Sequence, residues 1–162
     1  TTTSYTSDGV TWTPLNRTVN TFNAAGANVM THSATWSDNK WTLKSMTRKD
    51  NVDHVVDGQR QTLSAEWKCG SDSVWIGVKK DTVLYSATGK TLYTASYKGW
   101  KDNDWIPASK SEIFYDEQDR EIDEQTFKWN NGWIGSIRNE YGYDDQGRSN
   151  MSATYVGRPI GG

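Results

Sequence analysis

Few side chains in this sequence are spaced for chemistry. Asp50, Asp53, His54 and Asp57 put carboxylate and imidazole donors close together, the ligand types that hold divalent cations. They lack the spacing of a calcium loop, and the surrounding "TRKDNVDHVVDGQR" reads as a solvated insertion loop. Asp116, Glu117, Asp119, Glu121, Asp123 and Glu124 crowd a second stretch. A glycosidase needs two carboxylates about 5–10 Å apart across a cleft; this run reads as a solvated hairpin. His32 shares the alternation face of Met30 and Ala34 and reads as a packed or edge histidine. Cys69 lies in "WKCGSDSVW" with no histidine near it in sequence, and reads as an incidental loop thiol. Alone, it forms no internal disulfide and no multi-thiolate zinc site. There is no Gly-x-Ser-x-Gly elbow and no glycine-rich phosphate loop. The expectation is a protein that is not an enzyme, with no catalytic residue, no metal site and no cofactor.

The aromatic residues are the stronger candidates. Trp36 with Trp41, Trp100 with Trp105, and Trp129 with Trp133 recur on either side of short polar loops. Rings repeated on one face can stack on sugars or enter a partner's groove. The competing reading is that they form the core, because Leu, Ile and Phe are scarce and a long sheet needs an apolar layer. The two readings are compatible if the end hairpins stay uncovered.

Composition limits what carries these rings. The chain has 162 residues, which suits one domain spanning 1–162. Net charge is −2, so no basic field draws nucleic acid or an anionic membrane. Mean hydropathy is −0.84, yet nine Trp and eight Tyr argue against disorder. No apolar run is long enough to span a membrane as a helix. No leader or lipidation motif stands out, although a mature exported chain would look the same after cleavage.

The elements that position the rings are read from an internal recurrence. Trp12, Trp41, Trp75, Trp105 and Trp133 are separated by 29, 34, 30 and 28 residues. Five residues after the anchor stand Arg17, Lys80, Lys110 and Arg138; the second frame has Met46 instead. Ten after it come Phe22, Tyr85, Tyr115 and Tyr143, and fourteen after it Gly26, Gly89, Asp119 and Gly147. The second frame departs from this over residues 47–60 and is expected to turn at Asp57-Gly58.

Turn chemistry agrees with the frame. Asn23, Ser86, Asp116 and Asp144 are residues whose side chains cap a type I turn. Gly26, Gly89 and Gly147 suit the left-handed residue that follows it; Asp119 is the tolerable exception. A second turn closes each frame in "WSDNKW", "WKCGSDSVW", "WKDNDW" and "WNNGW". This predicts an all-β antiparallel meander of about ten or eleven strands, built from five hairpins of roughly 30 residues. Straight period-two alternation puts Trp133, Ile137, Tyr141 and Tyr143 on one face, with Arg138 and Glu140 on the other. It likewise sets Trp105, Ile113 and Tyr115 against Lys110 and Glu112. An exposed aromatic face invites aggregation, so the sheet is expected to curl as an open sheet, with a closed, barrel-like form as the alternative.

The frame W-x4-K/R-x4-Y-D-x-x-G-R, with a return strand and a second Trp, resembles repeats in exported proteins of unknown function from Bacteroides-type gut bacteria. The likeness covers about Trp12 to Tyr155. Through "YDEQDR" and "YDDQGR" alone, the chain is also similar to the YD repeats of Rhs-type toxins and teneurins. The resemblance implies a secreted, periplasmic or cell-envelope location and brings no catalytic residues. The functional expectation is a binding or adhesion module for a glycan or an envelope protein, with Trp36, Trp41, Trp100, Trp105, Trp129 and Trp133 facing the ligand. The alternative is a structural β spacer of the envelope.

Overall fold

The computed structural model describes residues 1–157. Eleven strands follow one another: β1 (Thr2–Ser7), β2 (Trp12–Phe22), β3 (Asn28–Ser37), β4 (Lys40–Val56), β5 (Gln59–Cys69), β6 (Trp75–Tyr85), β7 (Thr91–Lys101), β8 (Asp104–Tyr115), β9 (Glu121–Trp129), β10 (Trp133–Tyr143) and β11 (Ser149–Val156). Strand order in the sheet equals chain order from β1 to β11. It is an antiparallel meander without helices among the described residues, and it is open: no ladder closes β1 onto β11. The barrel-like alternative is thereby set aside.

The turns form as their residues dictate. Gly26, Gly89, Asp119 and Gly147 have φ of 78°, 84°, 61° and 76°, the left-handed conformation that ends a type I turn in a hairpin. Asn23 Oδ1 accepts the N–H of Ala25 and of Ala27, both at 3.0 Å. Asp116 Oδ1 accepts from Gln118 and Arg120 at 2.9 Å. Asp144 Oδ1 accepts from Gln146 at 3.0 Å and Arg148 at 2.9 Å. Ser86 Oγ accepts from Lys90 at 3.0 Å. At the other end, Asp38-Asn39 and Asp102-Asn103 hold positive φ at both central positions, as two-residue hairpin turns require.

Residues 47–60 are not a loop. β4 runs straight through them for 17 residues and turns at Asp57-Gly58, with φ of 49° and 77°. The inserted residues lengthen a hairpin instead of leaving it.

The ladders contain one feature that straight alternation omits. The ladders at Trp12, Trp41, Trp105 and Trp133 each carry an extra residue three positions after that anchor. Leu15 is skipped where Ser4 and Tyr5 pair with Asn16 and Pro14. Lys44 is skipped between Ser45 and Leu43, Ala108 between Ser109 and Pro107, and Ser136 between Ile137 and Gly135. A second bulge follows Gly26, Asp119 and Gly147, at Val29, Ile122 and Asn150. Every bulge moves the following residues to the opposite face.

Few side chains are sealed from solvent. Among the described residues, Ala65, Cys69, Ala95 and Gly77 are buried, and no polar residue is. The large rings are mostly half-buried, and Trp12 is 73% exposed. Cys69 is therefore not a loop thiol. It ends β5 at 2% exposure and donates to the Gly70 carbonyl at 3.3 Å.

Candidate functional site: an aromatic and cationic face

The three tryptophan pairs form where the frame places them. Each pair is a directly opposed couple beside its turn: Trp36 with Trp41, Trp100 with Trp105, Trp129 with Trp133. Ring centroids lie 5.2, 5.3 and 5.2 Å apart at interplanar angles of 69°, 85° and 73°. These are edge-to-face contacts, the geometry that the ring quadrupole favours. Trp129 is 37% exposed, and the other five are half-buried. All six are neither sealed core nor free platform.

The bulges bring cations onto this face. Arg17, Lys110 and Arg138 stand two positions beyond the extra residue, so they share a side with the tryptophans instead of opposing them. The expectation that Lys110 faces away from the rings is corrected accordingly. Lys110 is the ladder partner of Phe127, and its Nζ lies 4.6 Å from the Phe127 centroid and 5.4 Å from that of Trp133. Likewise Trp133 parts from Ile137, Tyr141 and Tyr143, because Ser136 lies between them as the bulge.

The structure comprises two compact units, residues 1–51 with 64–79, and residues 52–63 with 80 onward. Within the first, the Arg17 guanidinium lies 5.1 Å from the Trp41 ring, and Arg48 lies 5.4 Å from Trp67 and 5.1 Å from Trp75. Within the second, Lys80 Nζ lies 4.0 Å from Tyr97 and 5.6 Å from Trp105, before the Lys110 site just described. The relation is constant: the cation of one hairpin covers the anchor Trp of the next. Such contacts are each worth about 0.5–2 kcal/mol, more as water is excluded.

A second row lies near the other turns. Arg60 and Arg120 stand 5.3 and 4.6 Å from the rings of Tyr85 and Tyr143. Tyr115 donates its hydroxyl to the Thr91 carbonyl at 3.0 Å, and Tyr143 to that of Glu121 at 2.9 Å. Each tyrosine thereby ties its strand to the hairpin before it.

The acidic residues are taken up by these cations and turns. Asp123 meets Arg138 through Nε and Nη2, both at 3.0 Å. That hydrogen bonding holds its carboxyl below the usual range, against the opposing effect of burial. Asp116 is held low first by the Arg120 N–H, and Asp144 first by the Arg148 N–H and then by its guanidinium. Glu121 is pushed up by burial and by Glu124. Glu117 is exposed in its turn. Asp53 pairs with Arg60 at 2.6 Å and Asp50 with Arg48 at 3.0 Å, while Asp57 sits in the turn. Among the described residues, no group of three or more His, Cys, Asp or Glu is placed to hold a metal ion. His32 is a packed residue of β3, its Nε2 2.8 Å from Met30 Sδ.

The arrangement can stack rings and offer cations to hydroxyl-rich or anionic groups. Sequence reasoning found the Trp pairs and missed the cations' side. A signal was present: two residues after four of the five anchors stand Pro14, Gly77, Pro107 and Gly135, with Leu43 in the second frame, and Pro or Gly inside a strand marks a bulge.

No family model and no curated protein matches the chain. A solved protein of unknown function from Bacteroides fragilis is similar to it, with a TM-score of 0.41 and 14% identity, over 77% of this chain and 91% of that one. No helix of the described residues is long and apolar enough to cross a membrane.

Proposed function

We propose that this chain is an exported, non-enzymatic binding module that holds a glycan or an envelope protein on its aromatic and cationic face. The observation that carries the reading is the recurrence of half-buried Trp pairs, one in the first unit and two in the second, each beside a cation. Indole faces stack on the apolar faces of sugar rings, and adjacent Lys and Arg supply hydrogen bonds to hydroxyls or carboxylates. The exported location rests on the resemblance of the W-x4-K/R-x4-YDxxGR frame.

A polysaccharide array read together with Trp fluorescence titration tests it. Saturable quenching that weakens in Trp129→Ala and Trp105→Ala supports it. A silent array with fully blue-shifted, unquenched emission refutes it. The second reading, a structural spacer, is favoured by the cation-to-next-Trp relation, which ties consecutive hairpins into one ladder. It gains if the rings bind nothing and loses if the array gives hits.

A further inference from the structure

Comparison of the hairpins isolates one position. Eight residues after the left-handed turn residue stand Tyr97, Phe127 and Tyr155. Phe127 and Tyr155 pair directly with the cations Lys110 and Arg138. Tyr97 lies under Lys80 at 4.0 Å, and in the lengthened hairpin Trp67 lies near Arg48 at 5.4 Å. A ring therefore sits beside the cation in four frames. In the first, the same position is Ala34, directly opposite Arg17.

Where the ring is missing there is a cavity of about 320 Å³, lined by Arg17, Val19, His32, Ala34, Trp41 and Leu43. The ladder register puts all six on one side of the sheet. None of the six is fully exposed. Arg17 rests 5.1 Å from the Trp41 ring, and its Nε is buried without a hydrogen-bond partner. An apolar void of about 150 Å³ already accepts benzene.

We propose that this slot binds one planar aromatic ring of tyrosine-like chemistry, seated over Ala34, beside Arg17 and against Trp41. The template is the protein itself, which places its own Tyr97 and Phe127 rings in the equivalent contacts. A ring there gains the cation's attraction and the apolar walls of Val19 and Leu43. The inference deepens the binding reading above by naming what this part of the face takes.

The test is titration of the ¹⁵N-labelled chain with 4-methylphenol, followed at the Trp41 indole N–H and the Arg17 Nε–H. Saturable shifts confined to the slot are expected. They should weaken at least about tenfold in Ala34→Phe, which supplies the missing ring from within, and several-fold with cyclohexanol, which has no π face. A blocked Gly-Tyr-Gly peptide giving the same shifts assigns the ring to a polypeptide partner; shifts with 4-methylphenol alone assign it to a free small aromatic. Absent or unsaturable shifts in the parent chain overturn the proposal without reference to any variant. So does equal binding by Ala34→Phe, given a melt that shows the variant folded. Array hits without phenol shifts sink the slot alone, and phenol binding with a silent array sinks only the glycan reading.

Discussion

Lys110 and Phe127 face each other directly across the β8–β9 ladder, with the ammonium 4.6 Å from the ring centroid. The same ammonium pairs with Glu112 at 2.6 Å and lies near Trp133. One side chain thus joins three strands. Lys110→Met keeps the stem and removes the charge, leaving Glu112 without its partner. A loss of about 1–2 kcal/mol in denaturant melts is expected. Lys44→Met is the control: Lys44 is exposed at the bulge of β4, and its removal should change stability by less than about 0.5 kcal/mol. Equal effects would contradict the cation's placement.

The left-handed turn residues give a second expectation. Gly147 has φ of 76°, and a Cβ there would make only an ordinary 3.5 Å contact with Arg120. The cost of a side chain is therefore backbone strain alone. Gly147→Val should destabilise by about 1–2 kcal/mol more than Gln146→Val. Asp119, at φ 61°, already bears that strain, so Asp119→Gly should raise the melting temperature. Coincident melts of the two valine variants would refute the turn assignment.

The bulge at Ser136 is tested by deletion. Ser136→Ala removes one hydrogen bond, to the Thr126 carbonyl at 3.1 Å, and should cost about 1 kcal/mol. Deleting Ser136 restores unbroken alternation. Trp133 and Arg138 then stand four positions apart and keep one side, so the deletion should cost no more than about 2 kcal/mol. A deletion costing above about 4 kcal/mol would show that Ser136 is an ordinary ladder residue, whose loss turns Arg138 and all beyond it to the other face.

How far the fold was legible depends on how local its cause is. The turns at Asn23, Ser86, Asp116 and Asp144 were legible because cap and left-handed residue are neighbours in sequence. The meander followed from their recurrence. The sidedness of Arg17, Lys110 and Arg138 was not, because one extra residue inverts everything beyond it and carries no side-chain type of its own. Pro14 and Pro107 pointed to it, since a strand interior tolerates proline best at a bulge. The burial of Cys69 was equally hidden, since "WKCGSDSVW" reads as turn from Trp67 onward whereas β5 continues to Cys69.

Acid should weaken the turns before anything else. Asp8, Asp53, Asp116, Asp123 and Asp144 all sit below the ordinary carboxylate range in the folded chain, Asp8 at about 2 through the N–H groups of Thr11 and Val10. A depressed carboxylate stabilises the fold above its unfolded pKa, and the benefit is lost as pH falls through the folded value. The melting temperature should hold steady from pH 7 to about 5 and fall between about pH 4 and 2. Glu121, shifted upward, works the other way and is relieved by protonation. Asp144→Asn keeps a side-chain acceptor for the turn, as Asn23 does, and should soften the acid limb; an unchanged acid limb would exclude Asp144 from it.

Acrylamide quenching of the native chain's Trp fluorescence most directly tests the central claim, that the tryptophan and cation face stands uncovered. Emission of intermediate wavelength, with a large accessible fraction among the nine Trp, is the expected result. Emission shifted fully to the blue and indifferent to acrylamide until the protein unfolds would contradict it, because the rings would then be a sealed core.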